Sequence, residues 1–129
     1  MENRITSKEV DIKGFTYRIN KMDARSSCWL FTFLGSRSTD NSTLITSLGK
    51  CTRAEFIEIQ NMLLSKVFRL DRQEDKEFPI AVLLPSGEIS DPHLSYDAEA
   101  VMNLTSEAIM FNLSPFLAGS GSNSQTKQV

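Results

Sequence analysis

A single histidine and two cysteines are all that this 129-residue chain offers of the side chains that most often carry chemistry near neutral pH. His93 stands in the turn-forming run Asp91-Pro92-His93, and Cys28 and Cys51 lack the short spacing of a zinc set. A Cys–His nucleophile pair can be drawn, but nothing in the spacing brings His93 to either thiol. Two cysteines are also too few for a secreted disulfide scaffold, so they read as reduced, small apolar packing groups. Gly14, Gly35, Gly49 and Gly87 each stand alone, which excludes a phosphate-cradling loop, and no acidic run has the calcium-loop pattern. The expectation is a protein with no catalytic residue, no cofactor and no metal.

Other absences narrow the class further. The basic residues form no stripe and no basic–aromatic reader motif occurs, which argues against nucleic acid as a partner. No apolar run approaches the length of a membrane span, and Met1 leads into Glu2-Asn3-Arg4-Ile5 without an apolar signal region. The chain therefore reads as cytosolic. Charge is present but uneven. Residues 1–53 carry nine Lys/Arg against five Asp/Glu, whereas residues 54–129 carry five against eleven, within a total of -2. Such asymmetry can orient protein encounters, although simple scatter produces it too.

What is there is enough apolar residue, 40%, for one domain with a core. Ile5, Val10 and Ile12, a Lys13-Gly14 turn, and the alternating Phe15, Tyr17 and Ile19 predict a β-hairpin over residues 5–19 with one apolar face. Asp23 predicts the N-cap of a helix that runs to Gly35 and is buried nearly all round, because Cys28 to Leu34 is apolar except for Thr32. Residues 36–50 read as loop, with Leu44, Ile45 and Leu48 in a short turn.

Thr52-Arg53-Ala54-Glu55 has the pattern of a capping box. Behind it Phe56, Ile59, Leu63, Val67 and Leu70 step by three or four, and Ile57, Leu64 and Phe68 form a second stripe, so one helix is expected through Leu70. Asp71 to Glu77 then reads as a charged, solvated linker, and Phe78 to Leu84 as a short buried strand ending at Pro85-Ser86-Gly87. Asp97 predicts the cap of a last helix from Ala98 to Leu113, stopped by Ser114-Pro115. The expected fold is α+β: an N-terminal hairpin packed with a small bundle of about three helices, and one further short strand. Residues 1–117 form a single globular domain and 118–129 a disordered, flexible tail.

The apolar surplus is the one feature that points to function. It can be core, but aromatic and Met-rich faces also adapt to apolar partners. The candidate partner-binding residues are Trp29, Phe33, Phe56, Leu63, Met102, Met110, Phe111 and Phe116.

Two stretches carry a family likeness. Gly14-Phe15-Thr16-Tyr17-Arg18-Ile19 followed by Lys21-Met22-Asp23-Ala24-Arg25, and the closing Phe111-Asn112-Leu113-Ser114-Pro115-Phe116-Leu117, resemble the two ends of tail assembly chaperones of long-tailed bacteriophages. The likeness covers most of residues 8–117 by layout, is specific at the two ends, and leaves 36–90 unmatched. It implies a non-enzymatic protein of the host-cell cytoplasm, absent from the mature virion. Such a protein coats the long helical tape measure protein, helps recruit tail tube subunits, and can self-associate along its partner. In that family a longer frameshifted product commonly diverges near the end of the first reading frame. Two other classes fit the same composition: a small regulatory or inhibitory protein that binds a host target, and a minor structural subunit of a virion.

Overall fold

The structure, a computed structural model, describes residues 5–37 and 45–122, with side chains in the last helix described to residue 116. The fold is α+β. A hairpin of β1 (Ser7–Ile12) and β2 (Phe15–Asn20) leads into α1 (Ala24–Ser36), a short 3-10 turn (Thr46–Lys50) and α2 (Arg53–Leu64). A second hairpin, β3 (Val67–Gln73) and β4 (Lys76–Ala81), and the long helix α3 (Ala98–Ser122) complete the chain. The strands form one antiparallel sheet in the order β1-β2-β3-β4.

The first hairpin follows the expectation. Lys13 and Gly14 both have positive φ, 52° and 89°, which matches the right-handed twist of the strands and suits glycine at the second position. Val10 faces Tyr17 and Ile12 faces Phe15 across the ladder, so the apolar residues of both arms share one face. Arg69 and Ile80 continue the row of Tyr17, and Val67 that of Ile19. On this face Tyr17, Ile19, Val67 and Val82 are buried beneath Leu30 and Leu34 of α1, Ile59, Leu63 and Leu64 of α2, and Leu104, Ala108, Ile109 and Leu113 of α3.

Several expectations need correction. The helix beginning at Arg53 keeps its capping box, with Thr52 Oγ1 accepting from Glu55 N–H and Glu55 Oε1 accepting from Thr52 N–H. It stops at Leu64, however, and Val67 to Leu70 is strand. The stripe 56/59/63/67/70 fitted a helix because a spacing of three or four also falls on β-branched and aromatic residues. In the strand, Val67 and Leu70 lie on opposite faces. The Asp71–Glu77 run is a hairpin, Gln73 pairing with Lys76 around Glu74-Asp75, rather than a linker. The sheet thus gains two strands where one was expected. β4 is an exposed edge: Phe78 is 46% exposed, and just beyond the strand only Val82 is fully buried. Nor is α1 buried all round, since only Ser27, Leu30 and Leu34 are.

Pro115 does not end α3. The helix continues to Ser122 with Pro115 inside it. The proline has no N–H for the carbonyl of Phe111, and Ser114 Oγ donates to that oxygen instead, at 3.4 Å. The expected domain boundary at residue 117 accordingly falls within a helix. Of the expected tail, residues 118–122 belong to α3, and 123–129 lie outside the described residues, as does Leu44.

The outer face of the sheet carries charge. Arg72 Nη2 donates to both carboxylate oxygens of Glu9 at 3.0 Å, and Arg18 to Glu77, with Arg72 also reaching Glu77 at 3.1 Å. Arg18 lies in register with Phe68, and Arg72 with Glu77, so the pairs cross above the position between them, Leu70. Leu70 is 6% exposed yet stands outside the main core. The two guanidinium groups hold the Glu77 carboxyl below its usual range, Arg72 most strongly. At β4, the N–H of Val82 bonds toward Val67, so residues of the same parity point inward and Pro79 directs its nitrogen outward.

Candidate functional site

Two apolar depressions flank α3, and local sequence explains each. The first lies where α3 meets the start of α1. Asp23 caps α1, its carboxylate accepting from Ser26 N–H at 3.1 Å and from Ser26 Oγ at 2.7 Å. The residue before it, Met22, is 7% exposed, and its N–H would be unpartnered without Asn112. Asn112 Oδ1 accepts that N–H at 2.8 Å, while its Nδ2 donates to Ala108 O at 2.9 Å. Around this clamp the Lys21 ammonium sits over the Phe111 ring, 5.2 Å from its centroid, and Phe31 stacks on Phe116 at 4.4 Å. Lys21, Met22, Ala24, Ser27, Cys28, Asn112, Pro115 and Phe116 line a cavity of about 280 Å³ here. The stretches Lys21–Arg25 and Phe111–Phe116, ninety residues apart at the Met22–Asn112 bond, meet at one place.

The second depression, of about 350 Å³, lies between α2 and α3. Its walls are Phe56 and Gln60 from α2, Ala98, Val101 and Met102 from α3, and Leu94, Ser95 and Tyr96 from the segment before α3. Gln60 Nε2 donates to Thr105 Oγ1 at 3.1 Å and ties the two helices at the edge of the groove. The pairing of 56 with 101–102 and of 60 with 105 means the helices run in the same direction. Asp97 caps α3, its Oδ1 accepting from Ala100 N–H at 3.0 Å. Lys13 reaches both Asp97 (2.9 Å) and Glu99 (3.1 Å), and it is the first cause of the lowered Asp97 pKa.

The candidate partner residues divide between these places rather than forming one surface. Phe56 and Met102 share the α2–α3 groove, and Phe111 and Phe116 belong to the α1–α3 junction. Trp29 and Phe33 stack at 4.9 Å along α1, with the Arg37 guanidinium 4.1 Å from the Phe33 ring centre. Trp29 and Met110 stay exposed. Leu63 is a correction: at 1% exposure it belongs to the core, so it cannot touch a partner in the folded protein.

Sequence reading missed a buried polar cluster. Asp91, whose side chain has no exposure, accepts from Tyr17 O–H at 3.1 Å and from His93 N–H at 3.0 Å, and lies 3.2 Å from Arg69 Nε. The Arg69 N–H is not aimed well enough for a hydrogen bond, so this contact is an ion pair and the Nε proton is unsatisfied. Asp91-Pro92-His93 signals a turn, which it is, but nothing local announces that its carboxylate joins Tyr17 and Arg69 of the sheet. Burial above all, then the Asp91 charge, raises the Tyr17 phenol well above its ordinary pKa. The His93 ring lies on Phe15 at 3.7 Å. Burial likewise raises the Cys51 thiol, which lowers its reactivity.

Chemically, these features offer adaptable apolar contact. Among the described residues no group of three or more His, Cys, Asp or Glu could hold a metal ion, and no helix is long and apolar enough to cross a membrane. No family model matches this chain, and neither a curated protein nor a solved structure matches it.

Proposed function

We propose that this chain is a non-enzymatic tail assembly chaperone of the long-tailed-phage type, which binds a tape measure protein and helps recruit tail tube subunits. One observation carries the reading. The likeness lies in Gly14–Ile19 with Lys21–Arg25 and in Phe111–Leu117, and these two regions meet through the Met22–Asn112 hydrogen bond and the Lys21–Phe111 contact. The exposed Trp29, Met102, Met110 and Tyr96 supply the adaptable apolar contacts that a long amphipathic helix requires.

The test is co-expression with a long helical tape measure protein. A several-fold rise in soluble tape measure, and its co-purification with this chain, is the expected result. Unchanged solubility overturns the reading. Recovery of one stoichiometric host protein instead assigns the chain to regulation of the host, and its presence in purified particles assigns it to the virion.

A further inference from the structure

We infer that the β1 edge of the sheet receives an extended segment of another protein as a fifth strand, recognised through its backbone and through one Lys or Arg set opposite Asp11. This goes beyond the binding of a helical partner and stands on the sheet alone. Lys21 N–H donates to Thr6 O at 2.9 Å, one step past the Ser7–Asn20 pair. The even-numbered residues Thr6 to Ile12 are therefore the ones bonded to β2, and Ser7, Glu9 and Asp11 turn their N–H and C=O groups outward. All three are exposed, and β1 runs without a proline, a glycine or a break in register. The opposite edge differs. On β4, Pro79 has no N–H, and the Ala81 carbonyl already accepts from Ser90 Oγ at 3.1 Å. Among the described strands, only β1 offers an unbroken row of donors and acceptors, the surface on which an added strand gains its affinity.

Register decides whose strand it is. A two-fold pair of β1 strands can be centred on Lys8, Glu9, Val10 or Asp11. These registers oppose, in turn, Lys8 with Lys8, Glu9 with Glu9, Glu9 with Asp11, and Asp11 with Asp11. Every two-fold register that engages more than one outward residue of each copy thus sets like charges directly across the new ladder. A second copy is disfavoured as the occupant. The carboxylates of the edge are not equivalent, because Glu9 is already held by Arg72 at 3.0 Å. Asp11 is in no ion pair among the described residues, and its side chain accepts from the Thr16 hydroxyl at 2.8 Å. A cation directly across from Asp11 supplies the charge that the fold leaves unmatched. Val10, half-buried between Glu9 and Asp11, points to the inner face, where a β-branched apolar residue of the added strand would cover it.

The probe is a capped peptide of alternating Thr and Val, with Lys in place of the Thr that falls opposite Asp11, titrated into the full chain and followed by amide hydrogen exchange. The expected result is saturable binding that slows exchange at Ser7, Glu9 and Asp11 by about tenfold or more. Lys8, Val10 and Ile12, already bonded to β2, should change little. N-methylation of the peptide at Lys and Thr removes the N–H groups aimed at β1 and should abolish binding. The same modification at Val, whose N–H points away, should leave binding intact. Asp11→Asn should weaken the Lys peptide several-fold and leave a peptide of Thr and Val alone unaffected. Absence of binding, equal loss from methylation at either set of positions, or slowed exchange along β4 overturns the inference. So does the same protection appearing with protein concentration and no peptide. If the peptide fails while co-expression still solubilises a tape measure protein, only the edge assignment falls.

Discussion

Asn112 works at two bonds at once, and its burial at 4% exposure leaves little room for solvent to replace either. Its carbonyl satisfies the Met22 N–H just before α1, and its amide holds the carbonyl one turn back in α3. Asn112→Ala removes both and strands a buried donor. Loss of about 1–3 kcal/mol is expected, because an unsatisfied buried N–H costs its full desolvation. A urea midpoint shifted by that amount with an unchanged slope checks it. An unmoved midpoint would mean that water reaches Met22 and the clamp is dispensable. Ser114→Ala, at an exposed position with one long bond, should cost far less.

At the scale of elements, α3 tolerates Pro115 because Ser114 attends to the carbonyl that the proline leaves bare. Pro115→Ala restores the backbone donor at that turn. The variant should be more stable by about 1 kcal/mol or more, since an interior proline costs up to roughly 3 kcal/mol. Far-UV circular dichroism should show a stronger helix signal; a weaker signal would show that the proline is required for packing.

The hairpin, the α1 cap, the capping box of α2 and the start of α3 were all legible, because each is announced within four residues by a turn glycine or an oxygen-bearing cap. The second hairpin was not. Its turn, Gln73-Glu74-Asp75-Lys76, contains no glycine or proline, and Glu74 takes a positive φ of 57° that its side chain does not advertise. Val67 and Leu70 misled because period alone cannot separate a helix end from a strand start. The candidate residues were half legible for a related reason. Apolarity singled out Phe56, Leu63 and Met102 alike, but it cannot distinguish an exposed Met102 from a buried Leu63, which only the packing of distant elements decides.

For the molecule as a whole, the Tyr17–Asp91–Arg69 cluster joins the centre of the sheet to the connection between β4 and α3. A buried charge pair of this kind contributes little net stability, but removing one member leaves the other uncompensated. Its phenol also couples folding to pH. The Tyr17 pKa is raised in the folded state, so the stability it brings is complete below the ordinary tyrosine pKa, near about 10, and declines as pH rises beyond that value. Across that alkaline window the unfolding free energy should fall by about 1.4 kcal/mol per pH unit from this group. Tyr17→Phe should remove this component of the slope while lowering stability at pH 7 by about 1 kcal/mol, the worth of one hydrogen bond. Parallel slopes for the two proteins above pH 10 would refute the coupling.

Pro79 bears on how this molecule can meet copies of itself. Its nitrogen faces outward from β4 and has no proton to give, in the middle of an edge that would otherwise offer a row of donors. A strand added at β4 would lose a bond at the centre of its ladder, so edge-to-edge growth of the sheet is disfavoured on that side.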